Sequence, residues 1–173
     1  MNVVTAIRGG PRAGDREAVL RIVRSSGFFT DAEQQVALEL VDERMGKGDA
    51  SGYRFLFAVI GDETDPVGYA CFGPIAGTRS SFDLYWIAVD AAQRGRGVGT
   101  ALMDAVIREA GAAGATRLYA ETSSREQYEP TRRFYESRGF ARAALLPDFY
   151  APGDGKLIYW LALESESGQR TSR

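Results

Sequence analysis

The stretch Gln93-Arg94-Gly95-Arg96-Gly97-Val98-Gly99-Thr100 constrains this chain more than any other. It follows a strand-like apolar run from Leu84 to Val89 and opens a helix-like run reaching Ala113. The segment from Phe82 to Ala120 therefore has the order strand, glycine turn, helix, strand, which is the order of a parallel crossover. Glycines at alternate positions leave backbone N–H groups uncovered where the helix begins. Free amides, the positive end of a helix dipole and two guanidinium groups converge on one spot, which suits a phosphate.

Composition narrows the classes. At 173 residues, with 45% hydrophobic and 25% charged residues, the chain is long enough for one domain with a sizeable core. A net charge of −2 offers no global field for nucleic acid, and the arginines from Arg125 to Arg142 are expected on solvated helix faces. The single cysteine, Cys71, excludes an internal disulfide and sits in an apolar run as an expected core residue. No run approaches the roughly 18 apolar residues of a membrane span. The chain opens without an export signal, so a cytoplasmic protein is expected. There is no histidine, which excludes Ser-His-Asp and Cys-His relays and leaves a zinc site only carboxylates and one cysteine. No metal is expected. Acid–base chemistry must come from carboxylates, tyrosines, lysines or water.

Periodicity and turn residues set out the elements. Val3 to Ile7 is strand-like, and helices follow from Asp15 to Gly27 and from Thr30, where Thr30 and Glu33 form a capping box, to Gly46. Tyr53 to Ile60, Val67 to Ile75 and Phe82 to Val89 are expected strands, the first two joined by a turn at Gly61–Pro66. A helix over Val98–Ala113, a strand over Arg117–Ala120 and a Pro130–Ser137 helix closed by Gly139 come next. Phe140–Leu146 and Lys156–Leu163 are expected as an antiparallel pair joined by a long loop from Pro147 to Gly155. The order is β-α-α-β-β-β-α-β-α-β-β. One α/β domain over residues 1–163 is expected, with a mixed, mostly antiparallel sheet flanked by helices and a polar tail over 164–173.

The glycine turn lacks the Gly-Lys-Ser/Thr end of a Walker loop and the Gly-x-Gly-x-x-Gly spacing of a dinucleotide fold. It does match Gln/Arg-x-x-Gly-x-Gly/Ala, through Arg94-Gly95-Arg96-Gly97-Val98-Gly99. Together with Asp83-Leu84-Tyr85-Trp86-Ile87-Ala88-Val89 before it and Arg133-Phe134-Tyr135-Glu136-Ser137-Arg138-Gly139-Phe140 after it, the chain resembles the GNAT superfamily of acyl-CoA N-acyltransferases. The element order through Leu163 is similar as well.

That resemblance implies a division of labour. Arg94, Gly95, Arg96, Gly97, Val98, Gly99 and Thr100 would bind the diphosphate of acetyl-CoA, and Ile87, Ala88 and Val89 would pair with its pantetheine arm. The N–H of Val89 would stabilise the developing oxyanion, and Tyr135 would protonate the departing thiolate. Strand alternation puts Asp83, Tyr85, Ile87 and Val89 on one face. The resemblance implies Asp83 as the base, directly or through water, with Glu121 and Tyr85 as alternatives. Similar enzymes often carry an asparagine where this chain has Tyr128, so that cofactor contact could pass to Ser123, Ser124 or Arg125.

Acceptor-side candidates are Phe28, Phe29, Tyr85, Glu121 and Tyr150, with Glu39, Glu43 and the 148–154 segment nearby; aromatics and carboxylates suit an ammonium. The implied activity is transfer of an acetyl group from acetyl-CoA to a small-molecule or protein amine by direct attack. Nucleic acid and membrane are not expected partners, while a homodimer is compatible with the resemblance. Two alternatives are a non-catalytic acyl-CoA sensor and a nucleotide-binding regulator.

Overall fold

The computed structural model describes residues 4–61 and 65–164. The expected strand start at Val3, part of the 61–66 turn and the tail beyond Glu164 lie outside them. The observed order is β1 (Val4–Gly9), α1 (Asp15–Ser26), α2 (Asp31–Lys47), β2 (Arg54–Ile60), β3 (Gly68–Pro74), β4 (Ser81–Val89), α3 (Val98–Ala112), β5 (Arg117–Ser123), α4 (Glu129–Ser137), β6 (Ala141–Ala151) and β7 (Asp154–Ala162). Among the described residues, seven strands form one mostly antiparallel sheet in the order β1-β2-β3-β4-β5-β7-β6. β4 and β5 are parallel, with Ser81 opposite Arg117 and Leu84 opposite Ala120. The chain divides into two compact units, one of Met1–Gly73 with Tyr85–Val106 and one of Pro74–Leu84 with Ile107–Arg173. β4 and α3 each contribute to both.

In the first unit, α1 and α2 bury one stripe each. Val19, Ile22 and Val23 of α1 recur at helical spacing and meet Ala37, Leu38 and Val41 of α2. Both stripes share a cluster with Phe55, Phe57, Tyr69 and Cys71 of β2 and β3. Burying each large side chain contributes about 1.5–3 kcal/mol. The capping box forms as expected: Glu33 N–H donates to Thr30 Oγ1 at 3.2 Å and Thr30 N–H to the Glu33 carboxylate at 2.8 Å. Beneath α1 the Arg8 guanidinium donates to Asp15 at 2.9 and 2.5 Å and lies 4.8 Å from the Phe57 ring centroid.

In the second unit, Arg117–Ser123 of β5 pair with Lys156–Ala162 of β7, and β6 lies outside β7. The expected loop from Pro147 to Gly155 is corrected here. β6 runs on to Ala151, which pairs with Asp154, leaving only Pro152 and Gly153 as the turn. A register shift between Leu146 and Ala151 absorbs the irregular residues. Pro147 is tolerated because an edge strand does not need every N–H in the ladder. Asp148 takes φ 52°, and its carboxylate accepts from Gly153 N–H at 2.7 Å.

Gly155 is where this hairpin meets the end of β5. Its N–H donates to Ser124 Oγ at 2.8 Å, and its carbonyl accepts from Ser124 N–H at 2.8 Å. A Cβ at Gly155 would stand 2.9 Å from both the Leu146 carbonyl oxygen and Leu145 Cδ1. Gly155→Ala is expected to destabilise the fold by about 1–3 kcal/mol. Urea denaturation checks this; a loss below about 0.5 kcal/mol would show that the hairpin relaxes at no cost.

Candidate active site

The glycine turn belongs to the first unit. β4 ends at Val89, and Asp90 accepts from Ala92 N–H at 3.0 Å to turn the chain. Gly95 and Gly97 then adopt φ 72° and 82°, a region that L side chains rarely adopt. These two residues swing the backbone into α3, whose first turn closes with Ala101 N–H on the Gly97 carbonyl at 3.0 Å. Among the described residues, the amides from Gly95 to Thr100 have no backbone hydrogen-bond partner. That is the donor set of a helix N-terminus, lengthened by the turn before it. Arg94, Gly95 and Arg96 are exposed, Gly97, Gly99 and Thr100 are half-buried, and Val98 anchors the turn in the core.

The side chains around the turn are already engaged. Arg96 donates to the Gln93 amide oxygen at 2.5 Å, and the Arg94 guanidinium lies 5.5 Å from the Phe28 ring centroid. Phe29 packs on Trp86 with ring centroids 5.0 Å apart, and Tyr85 meets Tyr53 edge-on at 5.3 Å. Burial alternates along β4: Phe82, Leu84 and Ala88 are buried, whereas Asp83, Ile87 and Val89 are half-buried and Tyr85 is exposed.

The second unit holds Asp83, Glu121 and Tyr135, whereas Glu39 and Glu43 lie on α2 in the first. Asp83 lies opposite Tyr119 in the β4–β5 register, so Glu121, two positions along β5, shares its face. Lys156 of β7 pairs with Glu121 at 2.5 Å and lies 4.4 Å from the Phe149 ring centroid. Tyr150 packs edge-on against Phe149 at 5.1 Å. Burial, and then the neighbouring Glu121 charge, push the Asp83 carboxyl above the usual carboxylate range, while Lys156 opposes them. A half-buried carboxylate tuned upward is suited to taking a proton near neutral pH. Lys156 was not among the residues singled out from sequence. Only the β5–β7 register, which sets it opposite Ser123, brings it to Glu121.

Tyr135 projects from α4 into the core of the same unit. It is 5% exposed, with its ring centroid 5.5 Å from Phe140 and 5.8 Å from Tyr159. Burial raises its phenol above the ordinary value, so it stays protonated and able to donate. Tyr159 donates to Glu136 at 3.1 Å, fixing the helix that carries Tyr135. Tyr128 lies beside the Arg125 guanidinium, 5.8 Å from its ring centroid, and Arg125 pairs with Asp154 at 3.2 Å. Cys71 is buried and its thiol is raised by desolvation, so no nucleophile is available there. No helix among the described residues is long and apolar enough to cross a membrane.

Comparison with known proteins identifies the family and the fold. The acetyltransferase (GNAT) family matches residues 17–140. A structure from Desulfovibrio desulfuricans assigned to that family superposes with a TM-score of 0.89 at 45% identity, over 92% of this chain and 99% of that one. The fold is shared with yncA of Salmonella typhimurium, solved with its cofactor acetyl-CoA, at a TM-score of 0.71 and 22% identity over 99% of this chain and 100% of that one. An uncharacterised protein of Mycobacterium leprae is 36% identical over 101 residues, which are 58% of this chain and only 26% of that relative's length. With its glycine turn, its sheet order and a family match spanning most of its length, this chain belongs to the GNAT acetyltransferase family.

Proposed function

We propose that this protein is an acetyl-CoA-dependent N-acetyltransferase that acetylates a primary amine by direct attack within a ternary complex. The observation that carries this reading is the run of amides from Gly95 to Thr100 at the head of α3, which have no backbone hydrogen-bond partner among the described residues. It fits a diphosphate in both donor count and charge, with Arg94 and Arg96 adding guanidinium groups. Ile87, Ala88 and Val89 would hold the pantetheine arm. Bound acetyl-CoA supplies an acyl carbon activated as a thioester.

The chain's own groups then have three tasks. Asp83 takes a proton from the acceptor ammonium, directly or through water, because the ammonium has no lone pair to offer. Val89 N–H donates to the carbonyl oxygen as charge builds on it. As the C–S bond breaks, the Tyr135 phenol donates a proton to the departing sulfur, whose thiol has an ordinary pKa of about 8.5. The nitrogen now bonded to carbon returns its surplus proton through water to the phenolate. Phe149, Tyr150 and Glu121 give the acceptor side aromatic faces and negative charge, which suit a cationic amine.

The test is acetyl-CoA-dependent thiol release across polyamines, amino acids, aminoglycosides and peptide α-amines. One class is expected to turn over. Tyr135→Phe, which keeps the ring packing, is expected to lower kcat on that amine by about 10- to 100-fold with little change in acetyl-CoA binding. Acetyl-CoA binding without thiol release on any amine would favour a non-catalytic sensor instead. An unchanged kcat in Tyr135→Phe would remove the phenol from the mechanism.

A further inference from the structure

We propose that Phe28, in the turn between α1 and α2, is a positioning residue for the donor substrate: its ring shelves the Arg94 guanidinium so that this cation is held ready for the diphosphate. This rests on the reading of the glycine turn given above and assigns a role to a residue outside that turn. The two loop arginines are held differently. Arg96 is tied to Gln93 at 2.5 Å, whereas Arg94 makes no ion pair among the described residues and lies 5.5 Å from the Phe28 ring centroid. A guanidinium over an aromatic face gains attraction from the ring without spending an N–H donor on a hydrogen-bond acceptor. An unsupported arginine would lose rotamer freedom on gripping a phosphate; a shelved one has already given up part of it.

The placement of Phe28 is itself built in. Gly27 ends α1 at φ 70° with its N–H on the Arg24 carbonyl, and Phe28 N–H donates to Ser26 Oγ at 3.2 Å. The neighbouring Phe29 is anchored on Trp86. The turn that carries Arg94 is tied to the same helix from below: Ser25 Oγ accepts from Ala91 N–H at 3.0 Å, and Arg21 bridges Asp90 at 3.3 Å and the Pro66 carbonyl at 2.9 Å. Three successive contacts from α1 and its exit thus hold the loop from Asp90 to Arg94.

The experiment compares acetyl-CoA with acetyl-pantetheine, a thioester donor lacking the diphosphate, on the amine found by the thiol-release screen. Calorimetry with CoA gives the affinity independently of turnover. Phe28→Leu is expected to raise the acetyl-CoA KM and the CoA Kd by about 3- to 5-fold, with the effect on KM rather than kcat. Kinetics with acetyl-pantetheine should not change, and Phe28→Tyr, which keeps a ring, should restore the wild-type affinity. In an Arg94→Gln background Phe28→Leu should add nothing. The role of Phe28 alone is overturned if acetyl-pantetheine suffers equally, if the acceptor KM rises instead, or if the effect persists without Arg94. A wild-type protein that uses acetyl-pantetheine as well as acetyl-CoA would overturn the diphosphate reading and this proposal with it.

Discussion

Asp83→Asn is expected to lower kcat/KM for the amine substrate by about 10²- to 10³-fold, because the amide keeps the shape of the carboxyl and cannot take the proton. The pH dependence gives a sharper check. The carboxylate form is the active one, so activity rises with pH through the Asp83 pKa, which lies above the ordinary carboxylate range through burial and then Glu121. Removing the neighbouring negative charge with Glu121→Gln takes away a raising influence, and the acid limb moves to lower pH. Removing the opposing cation with Lys156→Met takes away a lowering influence, and the limb moves to higher pH. Measuring all variants on one amine cancels the acceptor's own ionisation. Opposite displacements by the two variants, with the limb abolished in Asp83→Asn, would assign the base. A limb that survives unchanged in Asp83→Asn would pass that role to another group, with Glu121 and Tyr85 next to test.

The cluster behind that prediction shows where sequence reading stops. Turn chemistry was legible: the Thr30–Glu33 box, the Gly27 helix end and the Gly95–Gly97 turn are all set by residues within a few positions of one another, and each occurs where local rules put it. The parallel crossover was legible for the same reason, since strand, glycine turn and helix are contiguous. The Glu121–Lys156 pair was not, because it depends on β7 lying between β5 and β6 and on a register between segments distant in sequence. The hairpin was misread because Pro147, Asp148 and Gly153 are turn formers, and only the edge position of β6 lets a strand continue past them. The sequence places Phe28 on the expected acceptor side through its position between two helices. Its contact with Arg94 is a tertiary fact that spacing does not encode.

Asp15→Ala is expected to cost about 3–5 kcal/mol of stability, the largest effect anticipated outside the chemistry. Asp15 is 2% exposed, yet it opens a helix, and it accepts both Arg8 donors as well as Arg12 N–H at 2.6 Å. The carboxylate thus joins the end of β1, the following turn and the first turn of α1. Arg8 is itself mostly buried, with its side chain 15% exposed, and its other support is the face of Phe57. Truncating Asp15 leaves a desolvated guanidinium with no counter-charge and also removes a favourable charge from the positive end of α1. Urea denaturation should show a lower midpoint at unchanged slope, and the melting temperature should fall by about 10 °C for a chain of this size. Replacing both partners with apolar residues, Arg8→Met with Asp15→Leu, should recover most of the loss, because the penalty comes from an unpaired buried charge rather than from the absent attraction. A single variant losing less than about 1 kcal/mol would mean that Arg8 swings out to water, and the pair would then count as a surface contact rather than a structural joint.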